Sequence, residues 1–370
     1  GKLTDEGLAV LSRMLQDRSK NGDVNRREAA RVLGVIDRRL KLHKQLTALL
    51  NDASTDVRKA AIESAGKLRD MEFIEPLIGM LENPRLRKWA RSALANYKNH
   101  ILPALQKTLA DPGRSLHIKK SIPRLLYQIR TEKSWRELFD ILDQTDVTIR
   151  YAAIKSLNKI RKSWPDWHFD QSKIREILME EIRNYYWKLN IFFVYARKDK
   201  LFIDVREVDD ILYLALTEKL DETLERIFRL LALLYSQQDI YNSYYYLTNG
   251  NADEKANALE FLDNSLQKDL MVPLLPILDD IPLGHKIRQG RALFNLRKMT
   301  RKEALLALLE ERDLWLEVCA VYSLYREKIA DFNHEIEKRL YASEPILREM
   351  AEKYIKTFSF HLKPADDYVN

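Results

Sequence analysis

The sequence predicts an all-α fold in which antiparallel helix pairs are stacked side by side. Only 10 of its 370 residues are glycine, whereas the helix formers Leu, Ala, Glu, Lys and Arg are frequent. A polar turn followed by an amphipathic segment, Thr55–Leu68, has close relatives elsewhere in the chain. These relatives recur at nearly constant spacing, which is typical of a repeat architecture.

The repeat is 29 to 33 residues long when Arg58 is aligned with its counterparts. Each unit has an apolar first helix, a turn of Asp, Asn, Ser or Pro that caps the next helix, and a second helix with small inward residues. Proline is expected in the first turn of some first helices, as at 272–278. One such pair cannot bury its apolar stripe alone, so stacking about 9–11 pairs predicts an α-solenoid. The aligned positions are Arg26, Arg58, Arg87, Lys119, Arg150, Lys255, Arg288, Glu317 and Arg348.

The repeated form, Val-Arg-x-Ala-Ala-x-x-Ala after an acidic or proline-containing turn, resembles the HEAT repeat. The resemblance is to the short, PBS-lyase-like variety and covers residues 20–162 and 250–356. It implies that the second helix of each pair lines a concave face. It also implies an inner ladder of basic residues, namely Arg26, Arg58, Arg87, Lys119 and Arg150.

The period breaks after residue 162, at the proline of the Trp164-Pro165-Asp166-Trp167 segment. We predict N-terminal repeats over 1–162, an irregular or inserted helical segment over 163–250, C-terminal repeats over 251–358 and a tail over 359–370. Apolar spacing within the irregular segment predicts helices over 173–196, 205–216, 221–235 and 239–247. A continuous superhelix and a domain boundary near residue 165 both fit this pattern.

A second resemblance covers residues 115–270. The segments 122–126, 149–158, 225–235 and 257–264 are similar to the HEAT-containing region of bacterial membrane proteins with an ATP/ADP-translocase-like (MFS-type) transporter domain. This implies a cytoplasmic region that docks to, or regulates, its own transporter domain. Because the chain begins with Gly1 instead of Met, we expect it to be a piece of a longer protein. A missing upstream segment would then tether it to the cytoplasmic face of the inner membrane.

Composition narrows the classes of function. One cysteine, Cys319, allows no internal disulfide, and no apolar run approaches the roughly 20 residues of a membrane helix. The seven histidines are scattered and the ten glycines form no phosphate-binding loop, so we predict no metal, no cofactor and no enzymatic activity. Charge is uneven, because residues 1–163 hold 33 Lys and Arg against 19 Asp and Glu, whereas the remainder holds 29 against 36. The N-terminal half is therefore expected to face an anionic partner.

A basic cluster between residues 82 and 133 is the strongest functional signal, with twelve Lys and Arg against three acidic residues. Three readings compete: structural ladder residues that pair with turn acids such as Asp56 and Asp146, a surface for an acidic protein segment or anionic membrane, and a grip on nucleic-acid phosphates. Arg87 and Arg91 share a helix face, as do Lys120 and Arg124. The candidate binding residues are Arg85, Arg87, Lys88, Arg91, Lys119, Lys120 and Arg124.

Two further features remain open. Trp89, Trp135, Trp164, Asp166 and Trp167 are residue types used by HEAT-like alkylpurine DNA glycosylases, although no ordered match to that motif is present. Consecutive tyrosines cannot all face the core of one helix, so an exposed member is a candidate partner contact. These tyrosines are Tyr244, Tyr245 and Tyr246.

Overall fold

The structure is a computed structural model that describes residues 5–35, 42–144, 146–167, 170–195, 211–311 and 313–358. Within these ranges it contains twenty α-helices, a few single 3₁₀ turns and no β-strand. This confirms the predicted all-α solenoid of stacked antiparallel helix pairs. The predicted tail, 359–370, lies outside the described residues.

The chain divides into two compact units, Gly1–Phe169 (unit 1) and Asp170–Asn370 (unit 2). The division falls close to the Trp-Pro-Asp-Trp segment where the repeat period breaks. The predicted boundary at residue 250 stays a prediction.

The described residues of unit 1 form five helix pairs. The second helix of each pair, from α2 to α10, packs against the second helix of the next pair, so these helices form one continuous layer. Each first helix packs on its own second helix. The helices are α1 (Asp5–Gln16), α2 (Gly22–Leu33), α3 (His43–Leu50), α4 (Thr55–Leu68), α5 (Ile74–Gly79), α6 (Arg87–Ala95), α7 (Leu102–Ala110), α8 (Leu116–Ile129), α9 (Glu132–Asp140) and α10 (Val147–Ser163).

Small residues allow the second helices to approach closely, as the repeat pattern predicts. Gly66 of α4 lies against Ala93 of α6, and a Cβ at Gly66 would come within 2.7 Å of the Ala93 Cα atom. Ala60, Ala61 and Ala65 on the same helix are almost completely buried. Close helix contact in this layer therefore depends on the absence of larger side chains.

The ladder arginines hold the turn within each pair. Arg87 Nε donates to the main-chain oxygen of Leu81 (2.7 Å), and Arg150 Nη1 donates to that of Gln144 (3.1 Å). Asp146, one of the turn acids expected to pair with these arginines, accepts bonds from the first N–H groups of α10. Carbonyls left free where the first helix ends need donors, and a guanidinium group six residues later supplies them.

Unit 2 is organised around two long helices, α11 and α12, which pack along each other. α16 and α17 also pack on α11, whereas α18 joins α12 to α20. Cys319 of α18 lies fully buried in a core to which α11, α12, α17, α18 and α20 contribute. The helices are α11 (Gln171–Tyr195), α12 (Ile211–Leu234), α13 (Gln237–Asn249), α14 (Ala252–Ser265), α15 (Lys268–Leu278), α16 (Leu283–Phe294), α17 (Arg301–Glu310), α18 (Leu314–Arg326), α19 (Asn333–Glu337) and α20 (Pro345–Phe358).

Two helix boundaries in unit 2 differ from the sequence prediction. The sequence predicts separate helices at 205–216 and 221–235, whereas α12 continues without a break through 217–220. No glycine or proline lies in that stretch to end a helix. Residues 205–210 are not described. α15 begins at Lys268, so Pro273 and Pro276 lie inside the helix instead of in its first turn. Both prolines are buried, and packing compensates for the hydrogen bonds they remove.

Candidate functional site

Arg91 is the most unusual residue of the predicted basic cluster. It lies on α6 one turn after Arg87 and is only 8% exposed. Its Nε–H is buried without a hydrogen-bond partner, and no carboxylate of the described residues forms an ion pair with its guanidinium group. An isolated buried charge is costly, so proteins ordinarily pair it.

The other buried arginines in the described part of the chain follow that rule. Arg26 donates from Nε and Nη2 to the two carboxylate oxygens of Asp52, at 2.7 and 3.0 Å. Arg226 donates from Nε to a carboxylate oxygen of Glu181 at 3.0 Å. Arg91 therefore differs from Arg26 and Arg226 because it has no carboxylate partner among the described residues, although all three side chains are similarly buried.

Like charges surround Arg91. Burial lowers the pKa of Arg91 from its ordinary value, and the charges of Arg124 and then Arg87 lower it further. Arg124 lies on α8, the neighbouring helix of the same layer, so this member of the second predicted pair lies near Arg91. We call Arg87, Arg91 and Arg124 the Arg91 cluster. An anion bound there would supply the missing counter-charge.

The remaining candidates surround this cluster with different exposure. Lys88, Lys120 and Arg124 are exposed and Lys119 is half-buried, and none of them forms an ion pair with a described residue. Arg85 is exposed in the turn before α6, where its main-chain N–H donates to Asn83 Oδ1 at 2.9 Å. Exposed lysine and arginine side chains around one buried guanidinium group can approach an anion from several sides.

The basic surface continues from α8 to α10, where lysine side chains lie next to aromatic rings. Lys155 Nζ lies 4.9 Å from the ring centre of Tyr151, and Lys159 Nζ lies 6.0 Å from that of Tyr127. Tyr127 follows Arg124 by three residues and therefore shares its helix face. Half-buried rings next to cations could stack on planar groups as well as bind phosphates.

The tryptophans at the end of unit 1 pack mainly against one another. Trp135 is 8% exposed, and its ring centre lies 4.9 Å from that of Trp164 and 5.4 Å from that of Trp167. Asp166 lies exposed between the last two rings in sequence. A catalytic carboxylate of the glycosylase kind is expected in a desolvated cleft, and Asp166 lacks that feature.

Three side chains with metal-binding atoms meet near the start of α3, a grouping that sequence analysis missed because they are far apart in the chain. His43 Nε2 lies 3.2 Å from Asp70 and His43 Nδ1 lies 3.5 Å from Glu72. Both ring nitrogens thus face carboxylate oxygens, which only accept hydrogen bonds. The ligand atoms of the three side chains lie within 4.8 Å of one another, a grouping that exposed acidic residues often form without a metal ion.

The three consecutive tyrosines of α13 have different surroundings. The ring centre of Tyr244 lies 5.0 Å from that of Phe228 on α12, so this residue helps to attach α13 to the unit. Tyr245 is 60% exposed and Tyr246 is 41% exposed. Tyr246 also lines a groove of about 410 Å³ between α13 and α14. Tyr245 and Tyr246 therefore remain free to contact a partner.

Comparisons with known proteins agree with the repeat. Residues 8–95 match the sequence profile of HEAT repeats. No curated protein matches the chain in sequence. An engineered protein solved by the Northeast Structural Genomics Consortium aligns over 94% of this chain and 98% of its own, with 16% identity and a TM-score of 0.24. The fold is thus an all-α solenoid of stacked helix pairs, and its residues 8–95 match HEAT repeats.

Proposed function

We propose that this chain is a non-enzymatic interaction scaffold whose unit 1 binds an acidic segment of a partner protein at the Arg91 cluster. The observation that carries this proposal is the 8% exposed guanidinium group of Arg91, which lacks a carboxylate among the described residues. HEAT repeats generally mediate protein interactions, and residues 8–95 match them.

The free protein is expected to be destabilised locally by this arrangement. Removing a cation from water without a counter-charge is unfavourable, and the neighbouring guanidinium groups add repulsion. A carboxylate from a partner would remove both costs at once. Partner binding is therefore strengthened, because it relieves the unfavourable burial of an unpaired charge that is already present in the free protein.

Replacing Arg91 by methionine is expected to separate binding from folding. Methionine keeps much of the buried aliphatic volume but removes the unpaired charge, so the unfolding midpoint should stay unchanged or rise. Affinity for a fluorescein-labelled glutamate-rich peptide should fall by about 2–5 kcal/mol, the usual cost of removing one partner of a buried charge pair. Fluorescence polarisation and thermal unfolding give the two readings.

Lys107→Met is the matched control, because Lys107 is an exposed cation of the same unit on α7. It should change neither reading measurably. If Arg91→Met lowers the unfolding midpoint and leaves peptide affinity intact, Arg91 is a structural residue and the proposal is wrong.

Nucleic acid is the second candidate partner, and the rings of Tyr127 and Tyr151 next to Lys159 and Lys155 favour it. For this partner we expect a single-stranded oligonucleotide to bind more tightly than the acidic peptide, with affinity that falls steeply as salt increases. Tyr151→Ala should then weaken oligonucleotide binding by about 1–3 kcal/mol and leave peptide binding unchanged. Preferential binding to phosphatidylserine vesicles would instead indicate an anionic membrane surface.

The resemblance of residues 115–270 supports a finer proposal about context. We propose that the chain is the cytoplasmic region of a nucleotide-transporter-like membrane protein, held at the cytoplasmic face of the inner membrane, and that its partner is the transporter domain itself. None of the described helices is long and apolar enough to span a membrane. The full-length gene tests this idea, because a reading frame that starts at Gly1 without an upstream multi-helix membrane segment would contradict it.

A further inference from the structure

The hairpin of α13 and α14 is the least buried helix pair joined to the centre of unit 2. Only two residues of α13 and two of α14 are buried, although the helices are 13 and 14 residues long. Tyr246 and Phe261 are each 41% exposed. Large rings left in water on adjacent helices are a common feature of contact surfaces.

These rings face one groove with a regular construction. Its lining residues occupy positions i, i+3, i+4 and i+7 of both helices, from Asp239 to Tyr246 and from Glu254 to Phe261. Residues at this spacing share one helix face, so the groove follows the length of two facing stripes. Its volume is about 410 Å³, which is within the range of ordinary ligand sites.

The floor and walls of the groove have different chemistry. Small buried residues, Ser243 and Ala258, form the floor, and the Ser243 hydroxyl donates to the main-chain oxygen of Asp239 at 2.9 Å. The floor thus offers apolar contact without an unsatisfied donor. Tyr246 and Phe261, at the i+7 positions of two antiparallel helices, supply aromatic rings toward opposite ends of the groove, and each ring suits contact with an apolar side chain.

Charge decides which partner fits. Asp239 and Glu254 place carboxylates in the lining, and no lysine or arginine lines this groove. Glu254 keeps part of its carboxylate occupied, because Oε2 accepts from the Asn251 main-chain N–H at 2.8 Å. Across residues 237–265 the sequence has five acidic residues and one basic residue, Lys255. A cationic side chain of a partner would be attracted both by these carboxylates and by the faces of the aromatic rings.

We infer that this groove binds a basic amphipathic helix of a partner protein, with apolar residues against Tyr246 and Phe261 and Lys or Arg side chains at Asp239 and Glu254. Helix recognition by a groove uses anchors at i, i+3, i+4 and i+7, which is the spacing of the lining itself. The site lies in unit 2 and has the opposite charge to the Arg91 cluster of unit 1. The inference about this groove therefore does not depend on the proposed function of the Arg91 cluster.

The test uses a fluorescein-labelled 18-residue helix of leucine and lysine, with leucine on one face, and the whole chain. We expect saturable binding and protection of α13 and α14 from hydrogen exchange. The double variant Tyr246→Ala/Phe261→Ala should weaken binding at least about tenfold, because buried aromatic anchors dominate such interfaces. Asp239→Lys should also weaken binding, and its effect should shrink as salt increases.

Matched controls lie on the same hairpin outside the groove. Thr248→Ala removes an exposed side chain of α13 and Asp263→Lys reverses an acidic charge on α14, and both should leave affinity within about twofold. A peptide with every lysine replaced by glutamate should not bind at the groove. Equal weakening by the control variants, protection located away from α13 and α14, or no binding of the lysine peptide would each overturn the inference. Thermal unfolding confirms that every variant is folded.

Discussion

Replacing Glu181 by leucine is expected to lower the free energy of unfolding by about 3–5 kcal/mol, the usual cost of removing one partner of a buried ion pair. Glu181 is 1% exposed on α11 and accepts from Arg226 Nε of α12 at 3.0 Å. Arg226 also donates from Nη2 to Thr223 at 2.8 Å, so its position is fixed from two sides. Without the carboxylate, Arg226 would remain charged between the two central helices. Urea unfolding followed by circular dichroism measures the loss.

The double variant Glu181→Leu/Arg226→Met is the decisive comparison. It replaces both charges by apolar groups of similar size, and such replacements of buried pairs are often close to neutral. We therefore expect it to be more stable than Glu181→Leu alone. If instead the two substitutions destabilise additively, the ion pair does not couple α11 to α12 and this account is wrong.

Gly290→Ala is expected to destabilise the protein by about 1–3 kcal/mol, although alanine normally stabilises a helix relative to glycine. A Cβ at Gly290 would lie 2.1 Å from Cδ1 of Tyr186. The Tyr186 ring has little room to move, because it is fully buried and its hydroxyl donates to the main-chain oxygen of Pro273 at 2.8 Å. The substitution should therefore separate α16 from α11, which thermal unfolding would detect.

Gly284 offers a matched control in the same helix, since nothing lies within 4 Å of a Cβ built there. Gly284→Ala should be neutral or slightly stabilising by roughly 0.5 kcal/mol. The effect of Gly290→Ala should also shrink in a Tyr186→Leu background, where the ring is absent. An unchanged effect in that background would show that the clash with Tyr186 is not the cause.

Part of the candidate site could be predicted from local spacing. The i,i+4 relation placed Arg87 and Arg91 on one helix face, and the repeat placed Arg124 on a neighbouring helix. Spacing could not distinguish their environments, because Arg87 bonds the preceding turn whereas Arg91 is buried without a carboxylate partner among the described residues. Burial depends on how tightly α6 and α8 pack, and that depends on side chains from both helices. The prediction that these residues bind a partner remains to be tested.

The α13–α14 groove shows the same limit. The sequence marked Tyr246 as a candidate contact because three consecutive tyrosines cannot all face one core. It gave no reason to place Phe261 in the same groove, since that ring lies on another helix. The groove exists because the two stripes face each other around small residues, which is a property of the packed hairpin.

The sequence by itself determined the repeat, its helix pairs and the small residues between them, because these follow from local periodicity, capping and side-chain volume. Thr55–Leu68, which shows the repeat most clearly, is a helix with those bounds. Only the tertiary structure decided which charges are paired. Glu181 and Arg226 meet across 45 residues, whereas Arg91 meets other cations. Electrostatic energy depends on distance and burial in the folded chain, and neither is encoded in the spacing of residues along one helix.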